Sequence, residues 1–495
     1  MSPTARSALD RGDRAFLFAL VVVALLPRLF VAIAWSREPV WDGHYYHFGA
    51  ERIAQGLGYS EDVWVNGALE WKPWVHYPVG YSALLGGIYR LFGASLLAAP
   101  LLNVVLGVLL TALTFWIARR GLDATRARIA GGLVALHPGL IAQSALVMTE
   151  LLAAALLAVL GLVAVSSLEH RRRAALFGLA LGAAALVRPS SLLVLPLLVL
   201  ARPEGFRRAV SGTVLAGAVA LLVIAPWTLR NCARLDGCAL VSTNGGWNLA
   251  IGALTETGRF QVLRAEDGCP VVTGQVQQDR CWAKVGLSKI LEAPGSWFAR
   301  APRKLAETFN HESFPIEYLR EADPKSWPEE RRVAGRGLLT LYHRLLLVLA
   351  ALGAVAWPFS AGSRRGIVQG ILLAVVTALA LVGFASDAHP FYLFAVFVPL
   401  AAWLPWPGRP AASPAVRFAV GLVLVTLLTH VIFFGEDRYH LVVSPLLCLL
   451  AAAALRPERS PDREPRSRST EAQPVEPRLM ANPTVPTPAS EATPQ

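Results

Sequence analysis

The residues best able to do chemistry lie in one segment, Trp41 to Ser82, directly after the first long apolar run. The segment reads WDGHYYHFGAERIAQGLGYSEDVWVNGALEWKPWVHYPVGYS and is dense in acids, histidines and tyrosines. Asp42 follows the apolar run closely, so we expect it just beyond the membrane edge. A carboxylate there can accept a proton from an attacking hydroxyl, or it can simply cap a helix. The residues alone leave both roles open for Asp42.

The composition indicates a membrane protein with many spans. Of the 495 residues, 54% are hydrophobic and only 16% are charged, whereas soluble domains carry about 25% charged residues. Apolar runs near the length needed to cross a bilayer recur along the chain. The net charge of +12 lies mainly in short loops and in the tail. It therefore predicts membrane orientation rather than nucleic-acid binding.

The loop charges predict an all-α polytopic protein of about twelve transmembrane helices with both ends in the cytoplasm. Arginine clusters mark the short loops of one side, and acids, histidines and aromatics mark the other. Residues 1–455 form the membrane domain, in which residues 36–95 are a long first periplasmic loop. Residues 227–337 form a periplasmic insert between helices 7 and 8, long enough to need structure of its own. Residues 456–495 are poor in large apolar residues and predict a disordered cytoplasmic tail.

Two details of the span assignment depend on proline. Helix 7 is expected to end at Pro226-Trp227. The short apolar pieces Ala174–Val187 and Ser190–Ala201, hinged at Arg188-Pro189, are read either as thin helices 5 and 6 or as a re-entrant hairpin.

Charged residues at membrane depth are rare and often functional. Glu150 at the start of helix 4 and Arg28 in helix 1 predict a polar cavity at the outer face, although a helix cap and a snorkelling side chain are the plain alternatives. Four cationic residues on the same side can bind a phosphate, and their alternative is contact with lipid headgroups. These are Lys72, Arg188, Arg230 and Arg438.

Four of the five cysteines fall in the predicted outer insert, where an oxidising compartment favours disulfides. Sequence proximity favours Cys232–Cys238 and Cys269–Cys281 among three possible pairings, with zinc as the less favoured alternative. No P-loop or GxGxxG in a strand–helix context indicates a nucleotide site. No DxD motif in the first loop argues for a catalytic metal, so no metal ligand is assigned, although a divalent metal stays possible.

These motifs, in this order, resemble the GT-C integral-membrane glycosyltransferases. The likeness is to the family 39 group, which holds protein O-mannosyltransferases, the lipid A aminoarabinose transferase and the RgtA–RgtD kind of sugar transferase. It rests on an acid soon after helix 1, Tyr77-Pro78-Val79-Gly80-Tyr81, Met148-Thr149-Glu150 and Leu186-Val187-Arg188-Pro189-Ser190. Val79 and Ser82 replace two prolines of the usual turn, and one acid rather than two follows helix 1.

The resemblance implies an inverting transfer from a polyprenyl-phosphate sugar to an acceptor hydroxyl on a cell-envelope glycan, lipid or protein. Asp42 is then the catalytic base, and Glu150 orders the acceptor or an arginine such as Arg28. The substrate-binding candidates for lipid phosphate and sugar are Lys72, Arg188, Arg230, Arg438, His76, His440 and Tyr46. The expected place is the bacterial inner membrane, with the active site facing the periplasm. A secondary transporter or lipid-linked sugar flippase, and a non-catalytic scaffold, are the rival classes.

Overall fold

The computed structural model describes residues 11–270, 274–355, 364–386, 389–403 and 412–455. Helices dominate these residues, as the apolar composition predicts. The predicted tail, residues 456–495, lies outside the described residues.

The first part of the chain forms one long apolar helix followed by two shorter helices and a two-stranded hairpin. Its elements are α1 (Arg11–Trp35), α2 (Asp42–Gln55), β1 (Ser60–Val65), β2 (Ala68–Pro73) and α3 (Gly80–Phe92). The two strands pair antiparallel, with Val65 opposite Ala68. Asn66 and Gly67 join them, and both residues have positive φ, at 49° and 81°, as two-residue hairpin turns require. The hairpin was not predicted for the first loop.

The following part of the chain is the centre of the helical bundle. It forms α4 (Ala98–Arg119), α5 (Ala124–Ala135), α6 (Pro138–Ala142), α7 (Glu150–Ala164), α8 (His170–Val187), α9 (Leu197–Ala201) and α10 (Phe206–Arg234). Helix α4 packs against α1, α5 and α7.

Both proline-dependent assignments need correction. Residues Pro189–Val194 form a 3-10 helix and α9 has only five residues, so Ser190–Ala201 is not one thin helix. Pro226 lies inside α10, which continues to Arg234; the predicted end of helix 7 at Pro226-Trp227 is therefore wrong. Proline lacks one backbone donor but does not force the long helix to stop.

The segment predicted to form an outer insert contains helices of its own. These are α11 (Gly245–Leu254), α12 (Gln275–Glu292), α13 (Pro294–Ala299), α14 (Ala301–Phe309) and α15 (Phe314–Ala322). Disulfides Cys232–Cys238 and Cys269–Cys281 confirm the pairing that sequence proximity favoured. A small apolar core around Trp282 includes Phe434, which comes from a loop near the C-terminal end of the bundle.

The last part of the chain returns to the bundle as α16 (Glu329–Val355), α17 (Arg364–Ala385), α18 (Tyr392–Trp403), α19 (Pro414–Ile432) and α20 (Ser444–Ala453). Among the described residues, six helices are long and apolar enough to cross a membrane, namely α1, α4, α10, α16, α17 and α19. Helices α7, α18 and α20 are apolar but shorter. The protein is thus a mostly helical, multi-pass membrane protein, and the count of twelve spans stays a prediction.

Candidate functional site

Asp42 is the first residue of α2, and its side chain does not cap that helix. Its Oδ1 accepts a hydrogen bond from the Tyr77 hydroxyl at 2.7 Å, and its Oδ2 accepts one from Arg438 Nη1 at 2.8 Å. Trp41 occupies the cap position with φ 50° and makes no side-chain cap bond. The helix-cap alternative is therefore wrong, because both carboxylate oxygens are directed to partners from distant parts of the chain.

The environment of Asp42 favours its ionised form. Burial by itself would raise the pKa of Asp42, but the charge of Arg438 and the hydrogen bonds from Tyr77 and Arg438 outweigh burial and lower it. The same carboxylate only partly offsets the effect of burial on His76, whose pKa falls to about 4. At neutral pH the site thus holds an anionic Asp42 beside a neutral imidazole.

Close backbone packing sets the start of α2. A Cβ on Gly43 would stand 2.3 Å from the Tyr318 hydroxyl and 2.8 Å from the Val147 carbonyl oxygen. Only glycine allows that approach. The ring of Trp41 packs on Phe314 and, edge to face, on Tyr318, which fixes the residue before the acid.

Arg438 joins Asp42 to the loop between α19 and α20. Its Nε donates to Glu436 Oε2 at 2.5 Å while its Nη1 bonds Asp42, so one guanidinium binds two carboxylates. Burial lowers the pKa of Arg438, but the charges of nearby groups, first Glu436 and then Asp42, together outweigh burial, and the net direction is upward. Glu436 also lines the site, and burial raises its pKa. Arg438 therefore acts on Asp42 as a fixed counter-charge.

A second polar group lies at the start of α7. Arg188 Nη2 donates to Glu150 Oε1 at 2.6 Å and to Thr149 Oγ1 at 3.1 Å. The Nη1 atom of Arg188 bonds to none of the described residues, and Glu150 Oε2 is likewise buried without a described partner. The side chain of Arg188 is 19% exposed, so part of its fork faces open space.

The turn before α3 brings these two groups to the same place. A Cβ on Gly80 would lie 2.7 Å from the backbone carbon and oxygen of Leu186. This contact presses the turn that carries Tyr77 against the chain just before Arg188. The turn whose Tyr77 holds Asp42 is therefore in contact with the segment that carries Arg188.

Asp42 and Arg188 line one cavity of about 1320 Å³. Tyr46, His76 and Arg438 line it as well. The neutral ring of His76 meets Tyr77 and Trp247 edge to face, at centroid distances of 5.0 and 5.8 Å. Aromatic and cationic groups therefore surround the acid in a space large enough for more than one small molecule.

Two predicted binding residues lie outside this cavity. Lys72 is on β2, half exposed, and its ammonium is 3.8 Å from Glu70. Arg230 donates to the Tyr59 carbonyl at 2.6 Å and stacks on Trp227. The extension of α10 beyond the proline places Arg230 along the helix rather than at a free end. The expectation that both contact the substrate is not met by this geometry.

His440 and Arg28 are also placed differently from the prediction. His440 is fully buried, and its ring nitrogens bond the Thr308 carbonyl and Glu312. Arg28 donates to the carbonyls of Val134 and Ala135 at the end of α5, where a cation is favourable. Arg188, not Arg28, is the arginine that Glu150 orders.

Tyr77 and Glu436 belong to the site but were not predicted from the sequence. Tyr77 was expected only as part of the turn before a short apolar helix, and no local pattern indicates that its hydroxyl reaches Asp42. Glu436 stands two residues before Arg438, a spacing that suits a local carboxylate–guanidinium pair.

One protein-family model matches part of the chain. A family model described as dolichyl-phosphate-mannose-protein mannosyltransferase matches residues 76–229. The matched stretch contains Tyr77, Glu150 and Arg188, and it ends before Arg438. No curated protein sequence matches the chain significantly.

Solved membrane glycosyltransferases are among the similar structures. The Archaeoglobus fulgidus oligosaccharyltransferase tethered to an acceptor peptide aligns with TM-score 0.45 and 13% identity over 89% of this chain and 49% of that one. AglB from the same organism, in complex with an inhibitory peptide and a dolichol-phosphate, aligns with TM-score 0.42 and 14% identity over 90% of this chain and 50% of that one. ArnT from Cupriavidus metallidurans bound to undecaprenyl phosphate aligns with TM-score 0.35 and 15% identity over 84% of this chain and 78% of that one.

The chain spans about half the length of the archaeal enzymes that it matches. The protein is similar to glycosyltransferases, and the match over residues 76–229 confirms the predicted resemblance to the family 39 group of GT-C membrane glycosyltransferases.

Proposed function

We propose that this protein is an inverting glycosyltransferase that moves a sugar from a polyprenyl-phosphate donor to an acceptor hydroxyl on a cell-envelope glycan, lipid or protein. One observation carries the proposal: Asp42, held ionised by two donors, shares a cavity with Arg188, whose Nη1 bonds no described residue. A base and a phosphate-binding cation in one cavity are what this reaction needs.

Asp42 takes the role of base. The acceptor hydroxyl donates to an Asp42 oxygen and attacks the anomeric carbon from the side opposite the phosphate, so the configuration inverts. The carboxylate receives the proton as the new glycosidic bond forms. Tyr77 and Arg438 keep the carboxylate anionic and oriented, so little reorganisation is needed during reaction.

Arg188 takes the role of phosphate ligand. As the glycosidic bond to the phosphate breaks, negative charge grows on the leaving group, and a guanidinium stabilises that charge better than it stabilises the ester. Glu150 and Thr149 hold two of its nitrogens and leave Nη1 for the phosphate. We assign Glu150 to orienting Arg188 rather than to proton transfer.

The remaining cavity residues provide room and sugar contacts. The volume of about 1320 Å³ exceeds the roughly 300–1,000 Å³ of ordinary small-molecule pockets, which suits a site that must hold a sugar, a phosphate and part of an acceptor. Tyr46 and the neutral His76 supply hydrogen-bonding and ring surfaces near Asp42.

We place the protein in a bacterial inner membrane with this cavity on the periplasmic side, as the loop charges predict. The turn residue Asn66 is exposed, and Cys448 is buried while the other four cysteines are paired. An Asn66→Cys variant should therefore react with an impermeant maleimide on intact spheroplasts. Reaction only after permeabilisation would reverse the orientation.

The function is tested with the full chain in proteoliposomes. We expect sugar from a labelled undecaprenyl-phosphate donor to appear in an acceptor fraction from envelope extract, with release of undecaprenyl phosphate. A secondary transporter would instead move a free solute across the bilayer without any lipid-linked sugar, and a flippase would move the donor without breaking it. Either of those results, with no transfer from any sugar donor of a panel, would reject the proposal.

A further inference from the structure

A buried polar cluster behind the cavity wall is not used by the proposed transfer. It consists of Glu312 between α14 and α15, His343 in α16, and His440 in the 3-10 turn Tyr439–Val442. All three side chains are closed to solvent. One possible ligand atom from each lies within 4.8 Å of the other two.

Backbone carbonyls fix the tautomers of both imidazoles. His343 Nε2 is 2.9 Å from the Phe309 carbonyl, and His440 Nδ1 is 2.7 Å from the Thr308 carbonyl. A carbonyl only accepts, so these two nitrogens carry the protons of the neutral rings. The opposite nitrogens, His343 Nδ1 and His440 Nε2, present lone pairs to the cluster. Metal-binding histidines are typically oriented in this way by an outer hydrogen bond.

The cluster contains more acceptors than donors. His343 Nδ1 and Glu312 Oε1 are buried with no hydrogen-bond partner among the described residues. His440 Nε2 faces Glu312 Oε2 at 3.0 Å, so two acceptors meet if the ring is neutral and the carboxylate ionised. Facing lone pairs in a buried place are unfavourable unless a cation or a proton lies between them.

We propose that Glu312, His343 and His440 bind one divalent cation, with zinc as the best chemical match. Two imidazole nitrogens and a carboxylate oxygen are a recurrent zinc ligand set. Zinc bonds of about 2.1 Å in a tetrahedral arrangement put ligand atoms roughly 3.4 Å apart. The two rings now stack with centroids 3.7 Å apart, so binding turns them out of the stack and draws the three ligand atoms inward.

Neighbouring residues already support such a site. The Glu312 carboxylate fills the space beside Gly139, where a Cβ would lie 1.5 Å from Oε1. His137 accepts at Nδ1 from the Leu140 N–H, so its own proton is on Nε2, 4.0 Å from Glu312 Oε2. His311 and Ser313, on either side of Glu312, line the large cavity. The backbone on both sides of Glu312 therefore lies at the cavity wall.

The cation would hold the Arg438 loop in place. His440 follows Arg438 by two residues, and Asp437 accepts from the backbone N–H of Ser313, next to Glu312. A metal that joins His440 to Glu312 therefore fixes the turn from which Arg438 reaches Asp42. The site would be structural and separate from the reacting atoms, so it stands whether or not the proposed sugar transfer is right.

The metal content of the full chain tests the proposal. After purification in detergent and dialysis against zinc-free buffer, we expect about one zinc ion per chain by elemental mass spectrometry. Glu312→Gln and His343→Gln should each lose most of it. His430→Gln is the matched control, because His430 is also a buried histidine of the bundle and should keep the ion. Chelation should lower the melting temperature of the parent by a few degrees, and added zinc should restore it.

Two outcomes would overturn the proposal. One is a parent chain that carries no metal and whose melting temperature does not respond to added zinc. That result would mean that a proton, and not a metal ion, lies between His440 and Glu312. The other is full metal content in both ligand variants. If the variants do not fold, cobalt loading of the parent decides, because histidine and carboxylate ligation of Co²⁺ gives visible d–d absorption and an ion held only by solvent and detergent does not give the same spectrum.

Discussion

The Tyr77 hydroxyl should be a strong determinant of turnover, because it donates one of the two hydrogen bonds that hold Asp42. The substitution Tyr77→Phe keeps the ring against Tyr46 and His76 and removes only the donor. Hydrogen bonds to charged groups contribute about 1.5–3 kcal/mol. If that energy orients and stabilises the base in the transition state, its loss lowers kcat by about 10- to 150-fold.

The same substitution should change the pH dependence in a definite direction. Asp42 has a lowered pKa in the folded protein, so its base function persists as pH falls and is lost only when pH passes that pKa. Removing a donor to the carboxylate raises the pKa. The acid limb of the pH–rate profile should therefore move to higher pH in Tyr77→Phe.

Transfer from a labelled undecaprenyl-phosphate sugar, measured across a pH series in proteoliposomes, provides the assay. Tyr45→Phe is the control, since Tyr45 is an exposed tyrosine of α2, the helix that begins at Asp42, and its hydroxyl makes no hydrogen bond within the described residues. The control should keep the parent's rate and pH profile. A Tyr77→Phe protein with both unchanged would refute the idea that this hydroxyl tunes the base.

Three further substitutions test other parts of the site. Arg438→Met leaves two partly buried carboxylates without their shared cation and should destabilise the protein by about 1.5–3 kcal/mol, seen as a lower melting temperature; an unchanged melting temperature would contradict the counter-charge role. Arg188→Ala should weaken binding of undecaprenyl phosphate at least about tenfold, while Arg90→Ala, on the exposed side of α3, should bind as the parent does; equal affinity in both variants would reject the phosphate role. Gly80→Ala forces a Cβ to 2.7 Å from backbone and should cost about 1–3 kcal/mol of stability, whereas Gly87→Ala has open space and should be neutral. Equal melting temperatures for the two glycine variants would show that the close contact at Gly80 is not needed.

The membrane helices could be predicted because their signal is local. Each long apolar run buries its own backbone hydrogen bonds and so becomes a helix whatever its neighbours are. Helix α1, for example, covers the first long apolar run and ends at Trp35. Proline gives a weaker local signal inside a membrane, which is why the end of α10 was misjudged at Pro226.

The β-hairpin was missed although its sequence carried a signal. Asn66-Gly67 favours a two-residue turn, and Val63 and Val65 alternate with Asp62 and Trp64 before it. Trp64 stands on the exposed face of this strand, and an apolar residue at an outward position weakens the alternating pattern. The hairpin places Lys72 on an exposed strand, which takes this lysine away from the cavity.

The site was only partly predictable because loop charges give the side of a membrane and not a position on it. Asp42, Arg188 and Arg438 were expected on one face, and the structure places all three around one cavity. Arg230 was expected on that face too, yet it bonds the Tyr59 carbonyl. His440 is held inside the bundle by Glu312. Contacts between segments hundreds of residues apart decide these cases, and no local pattern contains them.

The most direct test of the proposed function is the activity of Asp42→Asn. Asparagine keeps the size of the side chain and can still accept from Tyr77, but it cannot take a proton from the acceptor. We expect the purified variant to fold, to bind undecaprenyl phosphate through Arg188, and to lose about 10²- to 10⁴-fold in transfer rate, while Asp62→Asn on the exposed hairpin keeps the parent's rate. An Asp42→Asn protein that transfers sugar as fast as the parent would contradict the assignment of Asp42 as the catalytic base.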